Sequence, residues 1–126
     1  MNMHDNSAIC GGAPALARVY KALSHPARLS MLHYLTQQES CVCHLTALLR
    51  RPQPYVSQQL GVLRDAGLVT DRREGQIIYY RANDPTVSAL ITSGLALLAS
   101  QGQSVELPLS SGRVAGCHCP HCEREG

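Results

Sequence analysis

The chain has 126 residues and a mass of 13.6 kDa, which corresponds to about one domain. Its 44% hydrophobic and 16% charged residues exclude a disordered polypeptide, and no apolar stretch reaches the roughly 20 residues that a membrane span needs. The net charge of +2 identifies no partner by itself, although most arginines lie between residues 50 and 81. The first residues lack the basic and apolar segments of a signal peptide, so we expect a cytoplasmic location.

Six cysteines and the absence of tryptophan and phenylalanine are the unusual features of the composition. A core of leucine, valine, isoleucine and alanine suits a small helical domain. In a reducing compartment, six cysteines indicate metal binding or redox sensing and not a disulfide framework. The sequence contains no glycine-rich phosphate loop, paired carboxylates or Ser/His/Asp spacing, so we do not expect an enzyme.

Periodicity divides the chain into three parts. Residues 1–12 read as a flexible arm, residues 13–100 as the folded domain, and residues 101–126 as a tail rich in glycine and serine that ends in a cluster of cysteine and histidine. The first helix is predicted to begin at Pro14, and Ser24 is the predicted N-cap of the second.

The second helix is predicted to bury Leu29, Leu32, His33 and Leu35 and to fade at Gln37–Gln38. A third helix opens at residues 39–44. Two prolines then restrict residues 50–54 to a turn, and a fourth helix runs from about Pro54 to Asp65.

The period changes after Gly67 from helical to alternating. Residues 68–70 and 77–81 are predicted strands, joined by a turn over residues 71–76. A last helix follows from about Pro85 to Ser100. Its apolar residues exceed the stripe that one chain would bury, which predicts a homodimer. They are Leu90, Ile91, Leu95, Leu97 and Leu98.

Two helices, a tight turn and a hairpin with arginines at its tip are typical of a winged helix-turn-helix, in which the second helix enters the major groove of double-stranded DNA. A solvated helix face would also be polar, but the combined pattern favours DNA binding. The predicted DNA-binding side chains are Gln53, Tyr55, Ser57, Gln58, Gln59 and Arg64 in the fourth helix and Arg72 and Arg73 in the wing.

Several segments in this order resemble the ArsR/SmtB family of metal-responsive repressors. They are residues 21–29 (KALSHPARL), 55–60 (YVSQQL), 63–69 (LRDAGLV), 72–76 (RREGQ) and 79–81 (YYR). The resemblance covers about residues 14–100. It implies a mainly α-helical, dimeric winged helix-turn-helix whose first and last helices form the dimer interface, and which leaves a palindromic operator when metal binds.

Cys41 and Cys43 match the Cys-Val-Cys that opens the third helix in the thiolate sensors of this family. Thiolates select As(III), Cd(II), Pb(II) or Zn(II) over hard cations. Side chains at i and i+2 of a helix lie about 200° apart, so Cys41 should lie at or before the first turn if both bind one metal. The alternative to metal binding is that Cys41 and Cys43 are ordinary buried apolar residues of the core. His44 could supply a nitrogen ligand, but we expect it to be a surface residue.

Two thiolates need partners to complete a tight site. Cys10 in the arm is one candidate, because arms in some family members supply thiolates. The tail is the other, with Cys117, Cys119 and Cys122. One further thiolate suits As(III), the favoured inducer, and two suit Cd(II). The last helix lacks histidine and acidic residues, so the family's zinc site between paired last helices is not expected.

Two other functions fit parts of the sequence. The same fold could sense redox state or persulfides through its cysteines, and a metal scavenger could use the tail alone. Mass spectrometry of the protein purified with and without reductant would distinguish a redox sensor from a metal sensor. An operator-binding assay would distinguish a repressor from a metal scavenger.

Overall fold

A computed structural model describes residues 11–107 of the chain. Within that range five helices and three strands form a mainly helical domain with one small antiparallel sheet. No helix there is long and apolar enough to cross a membrane. The elements are α1 (Ala13–Leu23), α2 (Pro26–Gln37), β1 (Ser40–Cys41), α3 (Val42–Leu49), α4 (Gln53–Asp65), β2 (Val69–Glu74), β3 (Ile77–Ala82) and α5 (Thr86–Ser100).

The corner between α1 and α2 is built differently from the prediction. His25, not Ser24, is the N-cap of α2, and its Nδ1 accepts a hydrogen bond from the backbone N–H of Ala27 at 3.2 Å. The Ser24 hydroxyl instead donates to the carbonyl of Lys21 at 2.8 Å and closes the last turn of α1. Pro26 starts α2, since a first-turn residue needs no backbone donor.

The turn between α3 and α4 is shorter than predicted. Arg50 adopts a left-handed conformation with φ of 56° and ends α3, and α4 begins at Gln53. The predicted turn continued to Pro54, but proline is tolerated in a first helical turn and lies inside α4. At the other end, Gly67 has φ of 77°, which turns the chain into β2.

The hairpin is longer and its turn tighter than predicted. The strands pair from Val69 opposite Ala82 to Glu74 opposite Ile77, which leaves two residues, Gly75 and Gln76, for the turn. The predicted turn over residues 71–76 is therefore mostly strand. The charged residues of this segment indicated a turn, but they lie in β2, which is exposed to solvent beyond Val69 and therefore tolerates charged side chains.

The short strand β1 was not predicted. Ser40 pairs with Tyr80 and Cys41 with Tyr79, so the sheet order is β1-β3-β2. Two residues are too few for an alternating pattern to be visible in a sequence. This pairing ties the segment before α3 to the inner strand of the hairpin.

The core lies between α2, α3, α4 and the base of the sheet. In α2, Met31 and Tyr34 are fully buried, whereas the predicted inward residue His33 is only half-buried. Leu107, beyond the predicted domain boundary at residue 100, also packs against the core.

Truncating one of the fully buried leucines to alanine should cost about 2–5 kcal/mol of folding free energy. These leucines are Leu32, Leu45, Leu60 and Leu63.

Candidate DNA interface and thiol site

The exposed face of α4 carries three of the predicted DNA contacts. Gln53, Ser57 and Gln58 are all exposed and lie in the first half of the helix. Polar side chains at the start of a recognition helix are placed to contact base edges and phosphates. Arg64, in the last turn, is exposed but forms an ion pair with Asp71 at 3.3 Å.

Two other predicted DNA contacts of α4 are less exposed than these three. Gln59 is 8% exposed, and its Oε1 accepts a hydrogen bond from the Arg28 guanidinium at 2.8 Å. Tyr55 is half-buried and packs against the core. Its ring lies under the Arg51 guanidinium, 5.0 Å from the ring centroid. Gln59 belongs to the buried stripe of the helix, and Tyr55 lies at the edge of that stripe.

The two arginines of the wing have different surroundings. The Arg73 side chain is exposed and has no ion-pair or hydrogen-bonding partner within residues 11–107. Arg72 donates to both carboxylate oxygens of Glu39 at 2.7 Å and to Glu74 at 2.7 Å. Its guanidinium also lies 4.8 Å from the centre of the Tyr79 ring. The prediction that both arginines contact DNA stays a prediction, and for Arg72 such a contact would compete with its three hydrogen bonds to Glu39 and Glu74.

The ion pair between Glu39 and Arg72 shifts the pKa of both groups. Hydrogen bonds from Arg72 lower the pKa of Glu39 below its ordinary value of 4.5, against the opposing effect of partial burial. The hydrogen bonds that Arg72 donates to Glu39 and to Glu74 raise the pKa of Arg72. The pair joins β2 to the residue just before β1 and thereby holds the wing against the body of the domain.

Cys41 and Cys43 lie at the start of α3 in different environments. Cys41 is the N-cap, in an extended conformation before the first helical turn, as the sequence predicted for a shared ligand. It is 4% exposed and packs against Ala47, Ile77 and Tyr79. Cys43 is exposed, and neither residue forms a disulfide.

A cleft of about 410 Å³ brings both cysteines next to the DNA-binding elements. Its walls include Gln53, the first residue of α4, and Gln76, in the turn of the wing. Val42, Ile77 and Ile78 complete the lining. A group bound to the two sulfurs would therefore lie against the recognition helix and the hairpin at once.

His44 is buried, contrary to the prediction of a surface residue. It is 1% exposed, and its Nε2 lies 2.7 Å from the Tyr34 hydroxyl. The two rings are stacked with centroids 5.5 Å apart. Burial of an imidazole requires a hydrogen-bonding partner, and Tyr34, ten residues earlier in α2, supplies it. The pair fixes α3 to α2 directly behind the cysteines.

Residues 11–107 contain no cluster of three or more histidine, cysteine, aspartate or glutamate side chains that could hold a metal ion. Cys41 and Cys43 are the cysteines of that range. The remaining predicted ligands, Cys10, Cys117, Cys119 and Cys122, lie outside the described residues. The described donor set is soft and fits a thiophilic ion, with at least one ligand to come from elsewhere.

Sequence reasoning missed the two residues that connect the elements of the site. Glu39 was read only as a helix start, and Arg28 only as part of a family segment. Their partners, Arg72 and Gln59, are more than 30 residues away in the sequence, at separations of 33 and 31 residues. A charge or amide carries no sequence signal for a partner at that distance.

The geometry defines a winged helix-turn-helix DNA-binding protein, and comparisons with known proteins agree. A sequence model described as "Bacterial regulatory protein, arsR family" matches residues 25–71. The biofilm growth-associated repressor of Agrobacterium fabrum is 41% identical over 93 residues, which are 74% of this chain and 80% of that protein.

Two further relatives support the assignment. The arsenic resistance transcriptional regulator ArsR1 of Pseudomonas putida is 44% identical over 64 residues, half of each chain. The solution structure of a homodimeric winged helix-turn-helix domain from Mycobacterium bovis, a possible ArsR-family regulator, is 30% identical. It matches 75% of this chain and 89% of that chain, with a TM-score of 0.64. The chain belongs to the ArsR family and is a transcriptional repressor of that family.

Proposed function

We propose that the protein binds a palindromic operator as a homodimer and releases it when a thiophilic metal or metalloid binds Cys41 and Cys43. As(III) is the favoured inducer, followed by Cd(II) or Pb(II), with Zn(II) also accepted by thiolates. The observation that carries this proposal is the cleft shared by the two cysteines, Gln53 and Gln76. Ligand binding there would act on the recognition helix and the wing together.

The positions of the cysteines suggest how release would work. Cys41 lies in β1 and Cys43 in the first turn of α3, so one ion bound to both would link a strand residue to a helix residue, and we propose that this link moves them relative to each other. Because Cys41 pairs with Tyr79, that movement would strain β3 of the wing. It would also shift the helix that precedes α4. Either displacement would misplace Gln58 and Arg73 relative to DNA.

The dimer is proposed from the outer surface of α1 and α5. Leu16, Tyr20 and Leu97 are each more than half exposed in the single chain. An apolar cavity of about 300 Å³ lies between these helices, lined by residues such as Leu23, Leu90 and Leu95. Apolar surface of this kind is typical of a protein interface. The homodimeric relative described above agrees with this arrangement.

Titration of the operator complex with arsenite, Cd(II), Pb(II) and Zn(II), followed by fluorescence anisotropy, tests the proposal. Cys43→Ser should bind the operator as the wild type does but resist release, since the exposed thiol contributes little to folding. Cys41→Ala should behave likewise, and alanine avoids placing a hydroxyl in the apolar pocket around Cys41. Full release of both variants at wild-type metal concentrations would refute a regulatory site at these cysteines.

The third ligand is identified by two further variants, Cys10→Ser and a deletion of residues 113–126. The variant that loses arsenite response while retaining operator binding identifies the segment that supplies the missing thiolate. If each variant alone retains the response, the protein carrying both changes tests whether Cys10 and the tail replace each other.

Oxidation is the second candidate signal, because the same cleft holds both cysteines. A disulfide between Cys41 and Cys43, formed as the two thiols lose their hydrogens to the oxidant that is sensed, would link β1 to α3 as a metal would. Mass spectrometry of protein prepared with and without reductant distinguishes the two signals. A metal sensor keeps its thiols and gains the mass of the ion, whereas a redox sensor loses hydrogens or gains sulfur.

A further inference from the structure

One arginine joins the end of α1 to the recognition helix. The Arg28 Nε donates to the carbonyl of Ala22 at 2.6 Å, and a terminal nitrogen donates to that of Lys21 at 3.3 Å. Both carbonyls belong to the last turn of α1, where helical carbonyls lack intrahelical donors. The other terminal nitrogen donates to Gln59 Oε1 at 2.8 Å.

A second contact joins the same two regions one turn away. The Tyr55 hydroxyl lies 3.5 Å from His25 Nε2, and the two rings are 6.4 Å apart. Tyr55 and Gln59 are four residues apart in α4, and His25 and Arg28 are three apart at the start of α2, so each pair lies on one helix face. Two contacts on one face define an orientation, which a single contact cannot do.

We propose that Gln59 is a positioning residue: through Arg28 it fixes the angle between the recognition helix α4 and helix α1, and thereby the distance and rotation between the two recognition helices of the dimer. This inference rests on the proposed function, in which α1 contributes to the dimer interface. It assigns to Gln59 a role in operator spacing without any contact to a base. The partly buried guanidinium loses its only side-chain acceptor among residues 11–107 if Gln59 is truncated.

The spacing of half-sites is a property that a general loss of stability does not change. One added base pair rotates a half-site by about 35° and moves it by about 3.4 Å, so a dimer with fixed recognition helices should penalise it strongly. A dimer whose α4 pivots on α1 should tolerate it. Loss of a base contact, in contrast, weakens binding at every spacing by the same factor.

The test uses full-length protein and duplexes selected from a randomised library, then rebuilt with the half-sites one base pair closer, unchanged, or one and two base pairs further apart. Wild-type protein should lose about tenfold or more in affinity on either side of one optimum, as expected for half-sites locked to one helical turn. Gln59→Ala should flatten this profile to about threefold or less. Gln59→Glu keeps an acceptor for Arg28 and should restore the wild-type profile.

Gln58→Ala is the matched control, because Gln58 is the exposed neighbour of the buried Gln59. It should weaken binding at all spacings and preserve the optimum. If Gln59→Ala does not fold, Arg28→Lys replaces it, since an ammonium cannot bridge the carbonyls and Gln59 as the guanidinium fork does. A sharp optimum retained in the folded variant overturns the inference. A wild-type monomer by light scattering would instead overturn the proposed dimer.

Discussion

Gln58 and Gln59 are adjacent in α4 but have opposite surroundings. Successive residues of a helix point about 100° apart, so one side chain lies in solvent while the other meets Arg28. An amide suits both positions, because it can pair with a base edge or satisfy a buried guanidinium. Residue type alone therefore does not separate a reading role from a positioning role.

Replacing Gln58 by alanine should cost about 1–3 kcal/mol of binding free energy at the specific operator, because an exposed amide in the recognition helix is placed for base contact. Affinity for an unrelated duplex of equal length should not change, and this is the internal control. Fluorescence anisotropy at fixed salt measures both. An equal loss on both duplexes would contradict a base-reading role.

The Glu39–Arg72 pair predicts a pH-dependent contribution to stability. The pKa of Glu39 is lowered by its bond to Arg72, so the carboxylate stabilises the fold above the ordinary carboxyl pKa near 4.5. That contribution is lost as pH falls through the lowered pKa. Glu39→Gln should therefore reduce the free energy of unfolding at pH 7 and make little difference at about pH 2.

Urea denaturation of both proteins at the two pH values measures this difference. Glu74→Gln, which removes a more exposed partner of the same arginine, is the matched control and should have the smaller effect at pH 7. A difference for Glu39→Gln that is equal at both pH values would contradict the ionic origin.

At the scale of elements, the first strand of the wing, β2, contacts the rest of the domain through one arginine and exposes the next one to solvent. Arg72 in β2 is fixed by Glu39, Glu74 and Tyr79, whereas Arg73 is available to DNA. Alternate side chains of a strand point to opposite faces, which explains why neighbouring arginines differ. The strand thus has one arginine paired within the domain and one that we expect to contact DNA.

Arg73→Ala should lower the slope of log affinity against log salt by about 1 and weaken binding to all sequences, as expected for one lost phosphate contact. Arg72→Ala removes no such contact and should leave the slope close to that of the wild type. Titrations at four salt concentrations measure both slopes. Equal reductions in slope would show that Arg72 also neutralises a phosphate.

The sequence predicted the helices and strands of this domain better than the contacts between them. The five helices and the hairpin follow from local periodicity, and Cys41 lies before the first turn of α3 as geometry required. The two-residue strand β1 and the burial of His44 were missed. Both depend on partners distant in sequence, Tyr79 and Tyr34, which a local pattern cannot indicate.

The candidate site shows the same division. Exposure of Gln53, Ser57 and Gln58 follows from the polar face of α4, but the contacts of Gln59 and Arg72 within the protein do not follow from their positions in the helix and the wing. Gln59 accepts a hydrogen bond from Arg28, and Arg72 pairs with Glu39 and Glu74 at the surface. The ligands predicted at Cys10 and in the tail remain predictions, because they lie outside the described residues.

For the whole molecule, the exposed apolar residues of α1 and α5 predict the oligomeric state. Leu97→Lys places a charge on a side chain that is 60% exposed in the single chain, so the monomer should tolerate it and the dimer should not. Dissociation at micromolar concentration, measured by light scattering, is the expected result, with about tenfold or greater loss of operator affinity.

Thr92→Lys on the same helix is the matched control, since Thr92 is also exposed but polar. It should remain a dimer if the interface is centred on the apolar residues. A Leu97→Lys protein that stays dimeric and retains its circular dichroism spectrum would place the interface elsewhere.

The pairing of β1 with β3 has a consequence for exchanging parts between relatives. Side chains alternate across a strand, so one residue inserted or deleted just before Val42 would exchange the faces of Ser40 and Cys41. A hairpin transplanted from a relative would bring its own residues opposite these two. The position of the wing and the environment of Cys41 thus depend on one sheet, and the wing and thiol segment must be exchanged as a single unit.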